Sequence, residues 1–250
     1  MQLLRVSQGV LLSLLVGCQS NVFEVDRPPI ERSAREGQVC AWSDADADRV
    51  AAELDRLTPA VRALKAVECE RPLVIVTHET LLGDVDGMAT SEVIFLGPDS
   101  RMFERFVLAH ELAHYYRDDV WRLLPHAVEE GLADLVAEEL EPNQGSFVLL
   151  PRLTNIPLTI DRALLVSVLS AEHSLVDPPE QTIDMQSRAI GFVVAIALGL
   201  DELRKLCERV RDEGLEQMPA DWILDKMPFP LDDPAQWHSC IIDYLKRPRS

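Results

Sequence analysis

Residues His110-Glu111-Leu112-Ala113-His114 constrain this chain more than any other stretch. On a helix, positions i and i+4 lie on one face, so the two imidazoles project side by side. They can then hold one metal ion, with Glu111 beside it as a candidate general base. The chain has 6 histidines in 250 residues. A five-residue pattern still arises by chance, and it needs support from elsewhere in the chain.

That support is Glu129-Glu130-Gly131-Leu132-Ala133-Asp134, in a second helix-compatible run. Two histidines do not complete a tetrahedral catalytic zinc site. It needs a third protein ligand and one open position for water. Glu130 stands 16 residues after His114, enough to finish one helix, turn and begin an antiparallel one. Asp134 follows on the same face as Glu130, where it can accept the spare N–H of a metal-bound histidine and fix its tautomer. Taken by themselves, Glu129 and Glu130 also fit solvated surface acids.

With these residues in hand, the chain resembles the gluzincin metallopeptidases, the thermolysin-like group with an HExxH helix and a glutamate ligand on the following helix. The resemblance is specific over residues 102–137 and loose over 71–200. It implies an α+β fold: a small mixed sheet packed on the HExxH helix and the Glu-ligand helix, followed by a mostly helical C-terminal half. It implies His110, His114 and Glu130 as zinc ligands, Glu111 as the base and Asp134 as the partner of a ligand histidine. It also implies a strand at the edge of the sheet, over 88–96, lining the cleft, to which a peptide can add as an extra strand. The metzincin pattern is excluded, because Arg117 and Val120 stand where it requires Gly and His. One departure from the gluzincin pattern is plain. The family helix that holds a small residue and Phe usually begins with Tyr; Ser187-Arg188-Ala189-Ile190-Gly191-Phe192 lacks it, with Gln186 near that place. The oxyanion-stabilising role is thus unassigned, with Arg188 and, less well, His173 as substitutes.

Residues 1–17 read as a lipoprotein signal peptide. Arg5 is its one charge, Val10 to Val16 is nearly all apolar, and the run is too short for a span of about 20 residues. Leu15-Val16-Gly17-Cys18 resembles the bacterial lipobox, which implies cleavage before Cys18 and lipid on its sulfur. Gln19, in place of the Asp that retains such proteins in the inner membrane, implies the outer membrane facing the periplasm. Several acyl chains on one Cys give stable anchoring. Residues 18–36, with Pro28-Pro29, read as a flexible tether, and 37–250 as a single domain. Cys40, Cys69, Cys207 and Cys240 remain, an even number for an exported chain; Cys40–Cys69 and Cys207–Cys240 are the expected pairs among three connectivities.

The formal net charge is −18. Such a surface argues against nucleic-acid or anionic-lipid binding. Asp44, Asp46 and Asp48 resemble the start of a calcium loop, but Arg49 replaces its Gly and Asp55 its Glu, so the stretch reads as a helix N-terminus.

Val50, Leu54, Leu57, Val61 and Leu64 mark a helix over 45–65, with Pro59 expected to end or kink it. Leu73 to Val76 and Val93 to Leu96 read as strands, Met102 to Arg117 and His126 to Leu140 as helices. Residues 161–170 form a short helix, Ala189 to Leu200 a buried one, and Asp201 to Val210 an amphipathic one. The expected function is hydrolysis of peptide bonds by a lipid-anchored zinc peptidase acting on peptides or proteins. The alternative is a non-catalytic binding or scaffolding lipoprotein on the same fold, which the missing Tyr favours.

Overall fold

The computed structural model describes residues 10–13, 22–25, 28–67, 70–77, 87–97, 104–117, 119–142, 155–170 and 181–247. Cys18, Cys69, His78 and His173 lie outside the described residues. Strands β1 (Val10–Ser13) and β2 (Val22–Val25) pair antiparallel as a ribbon of their own.

Among the described residues the main sheet has five strands: β3 (Ile30–Ser33), β4 (Gln38–Ala41), β5 (Leu73–Val76), β6 (Gly87–Ala89) and β7 (Val93–Leu96). Their order is β3-β4-β5-β7-β6. The two central pairings, β4–β5 and β5–β7, are parallel, and both edges are antiparallel. Alternate residues divide between two faces. Val39, Ala41, Val74, Val76, Ile94 and Leu96 face the helices, while Cys40, Ile75, Val93 and Phe95 form a smaller cluster. Strand β3 places Ile30–Ser33 inside the sheet, paired with Gln38–Ala41. The domain therefore begins within the stretch read as tether. Composition misled there, because an edge strand needs few apolar residues when its backbone is paired.

Helix α1 (Asp44–Lys65) crosses from β4 to its parallel neighbour β5, as such pairs require. Ser43 caps it, its hydroxyl accepting from the Asp46 N–H at 3.1 Å. Asp44 and Asp46 sit in its first turn, as the helix N-terminus reading expects. Val50, Leu54, Leu57 and Val61 are buried, each worth about 1.5–3 kcal/mol of transfer free energy. Pro59 does not end this helix. It removes the N–H that would reach the Asp55 carbonyl, and Arg35 Nη2 donates to that carbonyl instead, at 3.1 Å.

Helix α2 (Glu104–Tyr115) runs alongside α1. Arg49 binds both Glu104 carboxylate oxygens at 2.8 Å near the helix starts, and buried Lys65 donates to the Ala113 carbonyl near the ends. Helix α3 (His126–Leu140) follows a short 3-10 turn at Trp121–Leu123. Pro125 stands just before it, its carbonyl accepting from Val128 and Glu129. Then come α4 (Arg162–Ser170), α5 (Gln181–Asp212, broken at Gly199 with φ 72°), α6 (Ala220–Leu224) and α7 (Pro234–Leu245). No helix among the described residues is long and apolar enough to cross a membrane.

Two cores meet at α3. Ala133, Val136 and Ala137 face the sheet side, while Val128, Leu132 and Leu135 face the C-terminal helices. Where α3 crosses α5, the backbones touch. A Cβ on Gly131 would lie 2.1 Å from the Gly191 carbonyl carbon, and one on Gly191 would lie 1.6 Å from the Ala127 oxygen. Only glycine permits that approach.

The expected Cys207–Cys240 disulfide is not formed. Bracketing a segment in sequence does not bring two Cα atoms within the roughly 7 Å a disulfide requires. Cys207 instead packs in the C-terminal core, and Cys240 lines a shallow cavity beside Phe229.

Candidate metal centre

Helices α2 and α3 run antiparallel, so the upper turn of one faces the lower turn of the other. His110 and His114, one turn apart, place their Nε2 atoms 3.0 Å from each other. Glu130 reaches both: Oε1 lies 3.2 Å from His114 Nε2, and Oε2 lies 3.5 Å from His110 Nε2. Ligand atoms of these three residues all fall within 4.8 Å of one another.

The far nitrogens are held by two further acids. His110 Nδ1–H donates to Asp134 Oδ1 at 3.0 Å, and Asp134 is 1% exposed. His114 Nδ1–H donates to Glu129 Oε1 at 3.4 Å. Glu129 is in turn bound by Arg117. Both histidines are thereby fixed in the tautomer whose Nε2 lone pair points at the other and at Glu130. Glu129 is therefore no surface acid. In sequence both Glu129 and Glu130 also fit solvated surface acids, but α2 lies across the first turn of α3 and takes both.

Burial acts on every group here, and neighbours decide the outcome. Burial pushes the Glu111 carboxyl above the ordinary carboxylate range, against the pull of both imidazoles. Burial would raise Glu130 too, but Arg188 and the two histidines outweigh it and hold Glu130 well below that range. For Glu129, His114 and Arg117 overcome burial and hold it at about 2. Burial opposes a charge on His114, yet Glu130 and Glu129 prevail and push it up to about 10. His110 moves down, through burial first, with the charge on His114 adding to it. The opposite shifts describe one proton shared by a pair of facing nitrogens.

The donor set fits a divalent cation. Three lone-pair-bearing atoms converge with no hydrogen between them except that single shared proton. Four acidic side chains, Glu111, Glu129, Glu130 and Asp134, surround the converging atoms against two guanidinium groups, Arg117 and Arg188, an acid-rich setting for a cation. Two nitrogens and one carboxylate oxygen suit zinc.

Three other residues border the site. A Cβ on Gly87 would lie 2.8 Å from Glu111 Cγ, so strand β6 passes directly over the candidate base. Among the described residues the sheet edge beside the site is therefore β6, since β7, expected to share that role over 88–96, is paired on both sides. Arg188 Nη1 on α5 lies 3.3 Å from Glu130 Oε2, and His126 Nε2 lies 3.9 Å from Glu130 Oε1. Their side chains are 31% and 35% exposed, more open than those of His110, His114 and Glu130.

No family model matches the sequence, and no curated protein does. The fold has solved counterparts. The chain is similar to native yeast LTA4 hydrolase, with 14% identity and a TM-score of 0.50 over 79% of this chain and 35% of that one. A second structure of that enzyme, from Saccharomyces cerevisiae, has 13% identity and a TM-score of 0.47 with the same coverage. A functionally unknown conserved protein from Bacillus anthracis follows, with 9% identity and a TM-score of 0.42 over 73% of this chain and 40% of that one. The chain thus spans about a third of the length of LTA4 hydrolase, and over that span the two share a fold.

Proposed function

We propose that the chain is a zinc-dependent peptidase, with His110, His114 and Glu130 as metal ligands and Glu111 as the general base. The observation that carries this reading is the convergence of two Nε2 atoms and one carboxylate within 4.8 Å, beside a buried glutamate of raised pKa.

Zinc in this set would lower the pKa of a bound water to about 7 and polarise a carbonyl placed against it. Glu111 takes a proton from the attacking water as its oxygen bonds the carbonyl carbon and the π pair moves onto the carbonyl oxygen. The pair then returns, the C–N bond breaks, and Glu111 hands the proton to the leaving nitrogen. Asp134 and Glu129 keep the imidazoles aimed throughout. Strand β6 offers its outer edge to an extended peptide, whose backbone can pair there with little demand on sequence. The reading extends to a lipid-anchored enzyme of the bacterial envelope, held through Cys18.

The test is metal analysis of the purified protein, together with hydrolysis of an unstructured peptide library with and without chelator. Glu111→Gln should retain zinc and lose hydrolysis. A Glu111→Gln variant that cleaves at the wild-type rate refutes the base assignment, and a protein that takes up no zinc refutes the whole reading.

A further inference from the structure

We propose that Arg188 is a catalytic residue, whose guanidinium receives the negative charge that develops on the carbonyl oxygen of the substrate. The proposal rests on the hydrolase reading above and deepens it.

Two observations lead to Arg188. Its Nη1 lies 3.3 Å from Glu130 Oε2, which puts a fixed positive charge against one of the three converging side chains. Its side chain is also 31% exposed, whereas that of Glu130 is 10% exposed, so Arg188 reaches solvent that Glu130 largely does not. His126 approaches the other Glu130 oxygen at 3.9 Å, beyond hydrogen-bond reach.

The fold gives Arg188 little freedom. It sits three residues before Gly191, on the turn of α5 whose backbone touches α3 at Gly131 and Ala127. The helix carrying the cation is thereby locked to the helix carrying Glu130. Preorganised donors of this kind lower a barrier because they need not reorganise as charge appears, and removing one typically costs 10²–10³ in kcat. Arginine suits the task because it stays protonated at any working pH and presents a planar fork of N–H donors.

The chemistry is that of the hydrolysis step. As the water oxygen bonds the carbonyl carbon, the π pair becomes a full charge on oxygen, and Arg188 donates hydrogen bonds to it. When the C–N bond breaks, the pair returns and the donors relax.

The experiment uses the whole protein loaded with cobalt, whose visible absorption reports ligands at the metal. Inorganic phosphate serves as the tetrahedral oxyanion and imidazole as the neutral control. Arg188→Gln should bind cobalt within about threefold of wild type, weaken phosphate roughly 10- to 100-fold and leave imidazole unchanged. Arg188→Lys should recover part of the phosphate affinity. Equal weakening of both probes, or no change in either, overturns the proposal. So does a wild-type spectrum indifferent to phosphate, or cobalt loss in Arg188→Gln as large as in Glu130→Gln, which would mark Arg188 as a mere support for its neighbour. Failure of the wild type to take up cobalt would instead strike the metal site itself, and the proposal with it.

Discussion

His110 Nδ1 and Asp134 Oδ1 are 3.0 Å apart, joining two helices at the back of the candidate metal centre. Because Asp134 is 1% exposed, this carboxylate was removed from water to orient one imidazole. Asp134→Asn keeps the shape and removes the charge. Metal affinity should fall about 10- to 100-fold, measured by competition with a chromophoric chelator. Glu129→Gln should cost less, because its contact with His114 is 3.4 Å and Arg117 already draws on its charge. Equal losses at the two positions would contradict the geometry.

Metal uptake should release protons. His114, pushed up to about 10 in the metal-free protein, carries its proton at pH 7 and must lose it to coordinate. Zinc binding at pH 7 should therefore liberate about one proton, and apparent affinity should fall about tenfold for each pH unit below 10. Calorimetry in buffers of different ionisation enthalpy reads the proton count directly. His110 moves the other way and adds little until more acid pH. A count of zero would contradict the charge held by Glu129 and Glu130.

Glu111→Gln should also change stability. Burial raises the folded-state pKa of Glu111 above the ordinary 4.5, so the native state holds this proton more tightly than the unfolded chain does. Its contribution is fully present below pH 4.5 and is lost as pH rises through the folded value. At pH 7, above the unfolded value, the pH-dependent loss has set in, and Gln, which does not titrate, escapes it. Metal-free Glu111→Gln should gain about 0.5–2 kcal/mol at pH 7 and almost nothing at pH 4, by denaturant melts. The opposite pH trend would contradict the burial argument.

Gly131→Ala should be far more damaging than its size implies. The new methyl would meet backbone at 2.1 Å, and backbone cannot rotate aside as a side chain can. A loss of about 3 kcal/mol or more is expected. Gly214→Ala is the control. Gly214 has φ 70° but nothing within 4 Å of a Cβ, so only the left-handed backbone penalty of about 1–2 kcal/mol applies.

Much of this arrangement was legible in the chain. Pro125 and Pro142 bracket α3, and the i,i+4 spacing put His110 with His114, and Glu130 with Asp134, on common faces. The strands at 73–76 and 93–96 announced themselves as short β-branched or apolar runs. What stayed hidden depends on contacts distant in sequence. Pro59 continues α1 because Arg35, 20 positions before Asp55, supplies the missing donor. Glu129 serves His114 because of where α2 lies, which adjacent acids cannot reveal. Gly87 over Glu111 and Gly131 against Gly191 are close approaches, and a lone glycine in sequence does not say what it approaches. The pairing of Cys207 with Cys240 failed for the same reason: spacing along the chain carries no distance across it.

Helix α3 sends Val136 and Ala137 into one core and Val128 and Leu132 into the other. A wall shared by two rooms cannot be kept while either is demolished. Neither the sheet half nor the helical half is a removable module, and a minimal fragment cut around the candidate site would expose one flank of the helix that carries Glu130. Heating the intact protein should produce one melting event for the whole, not two.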